Sequence, residues 1–366
     1  FKEYREKQMK ENEEMEKNKM NNNILVSNIF NDLREFTEFN SEDLFEKVSP
    51  TEKLFMTDDL YNKLTDLRSK YPRLVVVLGM FDGVHIGHQS IIRRAGELAA
   101  EVQGKVLVFT FSNHPLSVLA PERMPLQIGN NLLRQERFAS LGVDVLMNVP
   151  FTREFSQVSP EDFLLLLQAH FAPRYVVTGA NYTFGERGRG TQRLLLRAGR
   201  DYGFEAEICP TVLQDGKAVS STRIRGFIQS GELASANALL GYPFTVIERV
   251  QHGDKRGRKL GFPTANLALA KTRAILPNGA YAVEVEYEGR KYAAMASIGS
   301  NPTFEGERPI RLEVNIQNFN KAIYDQLLTV RFLKFLRGEK KFSSVEQLIK
   351  QLHRDREAAQ SIWDRK

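Results

Sequence analysis

The 366-residue chain holds a single cysteine, Cys209, which excludes a disulfide scaffold or a thiolate metal cage. Cys209 follows the run Phe204-Glu205-Ala206-Glu207-Ile208, read as a strand, so a buried and inert thiol is expected. No apolar run is long enough to span a bilayer, and the first residues carry no signal-peptide core, so we expect a cytoplasmic protein with no membrane partner. Gly-x-x-x-x-Gly-Lys-Ser/Thr is missing too, which excludes a P-loop kinase. A strong excess of one charge is also absent: the net charge is +6, with 13 acidic and 9 basic side chains in residues 1–55. All of the positive excess therefore lies downstream, where it suits either a nucleic-acid binder or a protein that handles small anions.

What is present is a packed globular composition, 42% hydrophobic and 10% aromatic, in a chain too long for one ordinary core. Residues 1–22 are dominated by Lys, Glu, Asn and Met and cannot offset their ordering entropy, so a loose helix or disorder is expected. Short helices are expected within 23–55, and Met56 is taken as the start of the enzyme proper. From Arg73 the texture changes. The continuous β-branched run 74–78 and the apolar run 106–111 read as strands covered on both faces, with an amphipathic helix between them. Further strands are expected at 143–149 and 174–178, with helices near 131–141, 160–170 and 191–202, the alternation of a parallel sheet wound on both faces. Beyond Gly241 the pattern becomes alternating. Residues 281–298 form a hairpin about Glu288-Gly289, strands follow at 311–319 and 327–332, and a helix from about Ser344 to Trp363 closes the chain.

Between the first strand and its helix lies Gly79-Met80-Phe81-Asp82-Gly83-Val84-His85-Ile86-Gly87-His88. A helix N-terminus attracts anions, glycine lets backbone approach phosphate oxygens, and imidazoles can donate to charge developing on them. For two isolated histidines a packed loop residue and a helix cap would be the better reading, and zinc lacks a further His/Cys cluster. The full string reverses those odds. It resembles the phosphate-binding motif of nucleotidylyltransferases, whose core is His-x-Gly-His, and in its longer form the FAD synthetase module of bacterial bifunctional riboflavin kinase/FAD synthetases. The resemblance implies that His85, His88 and Arg225 act in catalysis, with Gly79, Phe81, Asp82, Gly83 and Gly87 at the nucleotide. Gly179-Ala180-Asn181-Tyr182-Thr183-Phe184-Gly185 looks like the family's flavin and metal loop, which implies roles for Asn181 and Phe184. Ser220-Ser221-Thr222-Arg223-Ile224-Arg225 looks like its second phosphate motif, with Ser221 and Thr222 as hydroxyl donors and Arg225 as a bidentate cation. A Ser-Ser-Thr run before a helix is also an N-cap, and both roles can hold. The segment Phe111-Ser112-Asn113-His114-Pro115 lacks an aspartate that the family often has there, leaving His114 between a site role and a turn. Arg187 and Arg189 face either phosphate or solvent.

The second string, Gly253-Asp254-Lys255-Arg256-Gly257-Arg258-Lys259-Leu260-Gly261-Phe262-Pro263-Thr264-Ala265-Asn266, is rich in glycine and cations. Its Lys/Arg run alone would be a solvated hairpin, whereas Gly-Phe-Pro-Thr-Ala-Asn resembles the riboflavin kinase signature. That resemblance implies nucleotide contacts from Gly253, Lys259, Gly261, Pro263, Thr264 and Asn266, with Thr264, Asn266 and, in the other half, Asn181 at a divalent cation such as Mg²⁺. It also implies flavin contacts from Asn301, in 299–304, and from Arg337, in 337–342. Glu313 aligns with the family's catalytic glutamate, although alternation alone would make it one exposed strand position. Asn315 stands where the family commonly has histidine.

The implied fold is α/β plus β: a Rossmann-like nucleotidylyltransferase domain with a parallel sheet at 56–240 and a small antiparallel β-barrel with a terminal helix at 241–366, after an extension at 1–55. The implied activities are riboflavin phosphorylation to FMN and FMN adenylylation to FAD, with ATP as co-substrate. Expected partners are riboflavin, FMN, FAD and ATP, without nucleic acid, and oligomeric state is not legible. Two rivals remain: a nucleotidylyltransferase for another phosphate-bearing substrate, and a flavin-responsive nucleic-acid binder.

Overall fold

The computed structural model describes residues 52–54, 69–253, 256–299 and 310–365. Expectations for residues 1–51, for 55–68 and for 300–309, which include Asn301, lie outside these, as do the side chains of Arg256 and Lys259. The described residues form two compact units that are not contiguous in sequence. One runs to Met80 and takes in His88–Met124 and Phe138–Thr211; the other combines Phe81–Gly87, Pro125–Arg137 and Val212 onward.

The first unit is built on a sheet of β1 (Glu52–Leu54), β2 (Leu74–Leu78), β3 (Lys105–Phe111), β4 (Val145–Val149), β5 (Tyr175–Gly179) and β6 (Glu205–Cys209). Along the chain these alternate with helices α1 (Ile86–Glu101), α2 (Asn131–Ser140), α3 (Pro160–Phe171) and α4 (Gln192–Tyr202). Every pairing is parallel and the order is β1-β4-β3-β2-β5-β6. Strand order therefore reverses at β2, and ligands in such sheets bind outside the carboxyl end of that point. All five β2 residues are at most 1% exposed, which is why the run reads as continuous rather than alternating. Caps set the helix ends. Ser159 and Thr191 accept from Asp162 and Leu194 N–H groups at 3.0 and 3.3 Å, and Gly203 closes α4 at φ 81°. Short helices were expected up to residue 55, yet Glu52–Leu54 forms a strand on the free edge of β4. Three residues carry no period to read, and the sheet edge supplies their backbone partners.

The second unit holds a small ribbon of β7 (Leu213–Gln214) and β8 (Lys217–Ala218), then helices α5 (Ser221–Ser230) and α6 (Leu233–Leu240). Its centre is a closed antiparallel barrel of β9 (Thr245–Gln251), β10 (Ala265–Leu269), β11 (Gly279–Tyr287), β12 (Arg290–Gly299), β13 (Ile310–Ile316) and β14 (Leu327–Arg337). The β11–β12 hairpin turns at Glu288 and Gly289, with φ 49° and 73°, the left-handed pair that a two-residue loop requires. Strand β14 runs five residues beyond the expected 332. Its register against β11 shifts twice, so the alternation breaks although the pairing continues. The core joins barrel residues such as Tyr281, Val283, Leu312, Val330 and Phe332 to Ile224 and Ile228 of α5 and Ala236 and Leu240 of α6. Helix α7 (Val345–Asp364), capped by Ser344, lays Ala359 on Phe262, Ala282 and Met295.

Candidate active sites

The glycine-rich loop after β2 is held in an uncommon backbone shape. Phe81, Gly83 and Val84 have φ of 53°, 75° and 35°, costly for a β-branched valine unless the surroundings enforce it. They do. The Asp82 carboxylate accepts from the Ile128 N–H at 3.0 Å and the Gly129 N–H at 3.4 Å. The Asp82 carbonyl accepts from the Ser221 hydroxyl at 3.0 Å, and the Gly83 carbonyl from the Tyr242 hydroxyl. A side chain at Gly83 would meet Ile128 at 2.9 Å, so only glycine fits this approach. Phe81, expected at the nucleotide, is 1% exposed: its ring belongs to the core, and only its backbone can face a ligand. The ring of His85 is buried beside Gly87, and burial pushes it down to about 4, so it stays neutral. His88 lies half-buried in the first turn of α1.

Arg225 approaches Asp82 at 3.7 Å and donates to the Thr222 hydroxyl at 3.3 Å. Burial raises the Asp82 carboxyl above the usual carboxylate range, with Arg225 the main opposing influence. The Ser-Ser-Thr run divides its duties: Ser220 caps α5 by accepting from Arg223, Ser221 holds the loop, and Thr222 meets Arg225.

In the first unit, a cavity of about 460 Å³ opens beside Gly79 and Met80, at the carboxyl end of β2. Rings line it. Phe111 meets Phe151 and Phe155 edge-on at 5.0 and 5.1 Å, Phe155 meets Phe163 at 6.3 Å, and Tyr182 stacks on Phe184 at 6.1 Å. Phe184 is buried as part of this cluster, while Asn181 is exposed on the lining. Asn113 fixes one wall by exchanging two hydrogen bonds with the Phe151 backbone at 3.0 and 2.7 Å. His114 accepts from the Leu116 N–H at 3.1 Å, the turn role. Arg187 lines the cavity but is 86% exposed, and Arg189, 65% exposed, pairs with Glu186. Sequence reasoning named Phe184 alone. The other rings, from Phe109 to Tyr182, come from segments far apart in the sequence, where each reads as ordinary core, and only the density of phenylalanine carried a signal.

In the second unit, a cavity of about 630 Å³ lies against β11–β13 and α7. Strand pairing sets Asn266 opposite Glu313, and Thr264 donates to Glu313 at 3.5 Å. Gly253 is glycine because a side chain there would strike the Asn266 amide at 2.4 Å, and Gly261 turns at φ 80°. Asn315 is buried and donates to the Pro263 carbonyl at 2.7 Å, so the residue that departs from the expected pattern still holds the loop. Arg337 lines the same cavity and forks onto Asp355 of α7 at 2.9 and 2.8 Å, a partner the sequence did not reveal. Cys209 is buried and its thiol is pushed up to about 11, as expected of an inert side chain.

The FAD synthetase family model matches residues 67–223, and the riboflavin kinase family model residues 240–363. The chain is 39% identical over 290 residues to a bifunctional riboflavin kinase/FMN adenylyltransferase of Listeria monocytogenes, covering 79% of this chain and 92% of that one. It is 34% identical to the Bacillus subtilis protein of the same name, covering 80% and 93%. A solved structure described as a macrolide-efflux protein from Streptococcus pneumoniae superposes with a TM-score of 0.71 at 34% identity, over 85% of this chain and 99% of that one. With both family models matched in order and relatives covered almost end to end, this chain belongs to the bifunctional riboflavin kinase/FMN adenylyltransferase family.

Proposed function

We propose that this chain phosphorylates riboflavin to FMN in its barrel and adenylylates FMN to FAD at the loop that leads into α1, using ATP in both steps. The observation that carries the reading is the convergence of Thr264 and Glu313 on one cavity, with Asn266 paired opposite Glu313 in the β10–β13 register. Glu313 accepts the proton of the flavin's terminal ribityl hydroxyl as its oxygen attacks the γ-phosphorus of ATP. Arg337, fixed by Asp355, and the apolar lining beside Met295 and Leu352 orient the flavin ring.

The donor set fits a hard cation. Thr264 and Asn266 offer oxygen, and among the described residues no group of three His, Cys, Asp or Glu forms a protein cage. Thr264 and Asn266 are the residues that would hold Mg²⁺, a cation that needs few protein ligands. When bound, it neutralises charge on the transferring phosphoryl group.

For the second step, the FMN phosphate oxygen attacks the α-phosphorus of ATP, and pyrophosphate leaves. The aromatic cavity holds the flavin, with Asn181 at its rim. His85, kept neutral by burial, donates one hydrogen bond, His88 adds another from the first turn of α1, and Arg225 offers a fork to phosphate. Nothing favours the efflux role in the name of the Streptococcus protein, and among the described residues no helix is long and apolar enough to cross a membrane.

Incubation with riboflavin and Mg·ATP, followed by chromatographic separation of flavins, tests both steps. FMN and FAD are expected. FMN alone would remove the second activity, and neither flavin would favour a nucleotidylyltransferase for another substrate or a binding protein.

A further inference from the structure

Asp82 sits inside a signature read as nucleotide-binding, yet its side chain is committed elsewhere. One carboxylate oxygen accepts from Ile128 and Gly129, and the other accepts from Ile128 and lies 3.7 Å from the Arg225 guanidinium, an ion pair rather than a hydrogen bond. The 128–129 backbone is itself pinned to the barrel. Gln127 donates to the Thr272 carbonyl at 2.7 Å and accepts from the Ala274 N–H at 2.8 Å, a bridge around Arg273. Arg273 is 5% exposed and bound to Glu248 of β9 at 2.5 Å. One residue further, Asn130 donates to the Ile247 carbonyl at 2.8 Å, and Arg331 of β14 holds Glu136 at 2.7 Å. Tyr242, at the entrance to β9, closes the ring by donating to Gly83.

We propose that Asp82 is a positioning residue for FMN adenylylation, fixing the Phe81–Gly87 loop and the Arg225 guanidinium in one arrangement, and that the barrel's Thr272–Ala274 strap and Tyr242 supply the fixed end. The strained dihedrals at Phe81 and Val84 need such an external hold. Arg225 needs one as well, because a guanidinium aimed at a developing phosphate charge is effective only if it does not reorganise during the step. Three segments matched by the FAD synthetase model, 81–87, 125–137 and 212–223, thus fold as part of the barrel's unit. The geometry of adenylylation is then set by residues outside that match. This inference rests on the proposed second activity.

The test uses the full chain. FAD formation from FMN by the unaltered protein checks the activity itself, and its absence would sink that reading without bearing on the variants. Asp82→Ala removes the anchor and should lower kcat for FAD synthesis about a hundredfold, with KM for FMN little changed. Asp82→Asn keeps one acceptor for the Ile128 N–H but loses the charge facing Arg225, and should lower kcat about tenfold. Tyr242→Phe removes one hydroxyl and should lower the same kcat a few-fold. Riboflavin phosphorylation should be unchanged in all three. If Asp82→Ala does not fold, the other two carry the test. A rise in KM for ATP at constant kcat would make Asp82 a ligand contact and overturn the proposal. So would parallel loss of both activities, or wild-type kinetics in Asp82→Asn and Tyr242→Phe.

Discussion

The two cavities differ in kind although, under the proposed function, both hold the same three-ring flavin. The cavity of the sheet unit is walled by Phe109, Phe111, Phe151, Phe155, Phe163 and Tyr182 and has almost no ionisable lining. The barrel cavity carries Glu313, Arg337, Glu339, Lys340, Lys341 and Asp355. The difference follows from which end of the ligand reacts. In the barrel the flavin's own hydroxyl is the nucleophile, so a base and charge compensation must sit beside it. In the sheet unit FMN arrives with its phosphate already ionised, and the ring pocket has only to bind and orient. The proposed chemistry of that step is carried by the Phe81–Gly87 loop and Arg225 rather than by the cavity wall.

The largest effect should come from removing the base. Glu313→Gln keeps the shape and removes proton acceptance, so kcat for FMN formation should fall roughly 10²- to 10⁴-fold while conversion of added FMN to FAD survives. His88→Ala should do the reverse. A folded variant that loses both activities would erase the contrast between the sites.

The next effect separates the sites by pH. Burial lowers the pKa of His85 to about 4 from the ordinary imidazole value of about 6.5. The unfolded chain therefore binds a proton between those values that the folded chain refuses. Stability is fully present above pH 6.5 and is lost as pH falls towards 4, by up to about 3 kcal/mol. Urea unfolding of wild type and His85→Asn between pH 4 and 7 should show the variant with the flatter profile. Equal slopes would mean that the loop is not as dry as its burial implies.

Much of this was legible in the sequence, for reasons that differ by region. The β2 run announced a doubly covered strand because all five residues are buried, and the hairpin at Glu288-Gly289 was set by turn chemistry alone. Thr264, Asn266 and Glu313 were legible through motif resemblance, and the β10–β13 register brings them together. Illegible features depended on contacts between distant segments. The bridge from Gln127 to Arg273 spans 146 residues, and nothing local to Asp82 reveals that its carboxylate faces Ile128. The end of β14 was missed because its bulges break the alternation on which the reading relied.

Asn315 offers a smaller test on the barrel side. Its amide satisfies the Pro263 carbonyl at 2.7 Å in a buried position, so Asn315→Ala leaves that acceptor unpaired next to Thr264. A loss of about 1–3 kcal/mol in stability is expected, with KM for ATP raised in the kinase reaction only. Unchanged melting and kinetics would show that the loop holds itself.

The smallest effect sharpens the comparison most directly. Phe155 meets Phe111 and Phe163 edge-on and is 8% exposed, so Phe155→Leu keeps an apolar wall and removes the ring's quadrupole and flat face. Aromatic pairing of this kind contributes about 0.5–1.5 kcal/mol beyond area, so KM for FMN in FAD synthesis should rise roughly 2- to 10-fold. Because the wall only binds, kcat should move little, and KM for riboflavin in the kinase reaction should not move. A fall in kcat with KM intact would mean that the rings also set the attack angle of the phosphate, and the division between a binding cavity and a reacting loop would have to be redrawn.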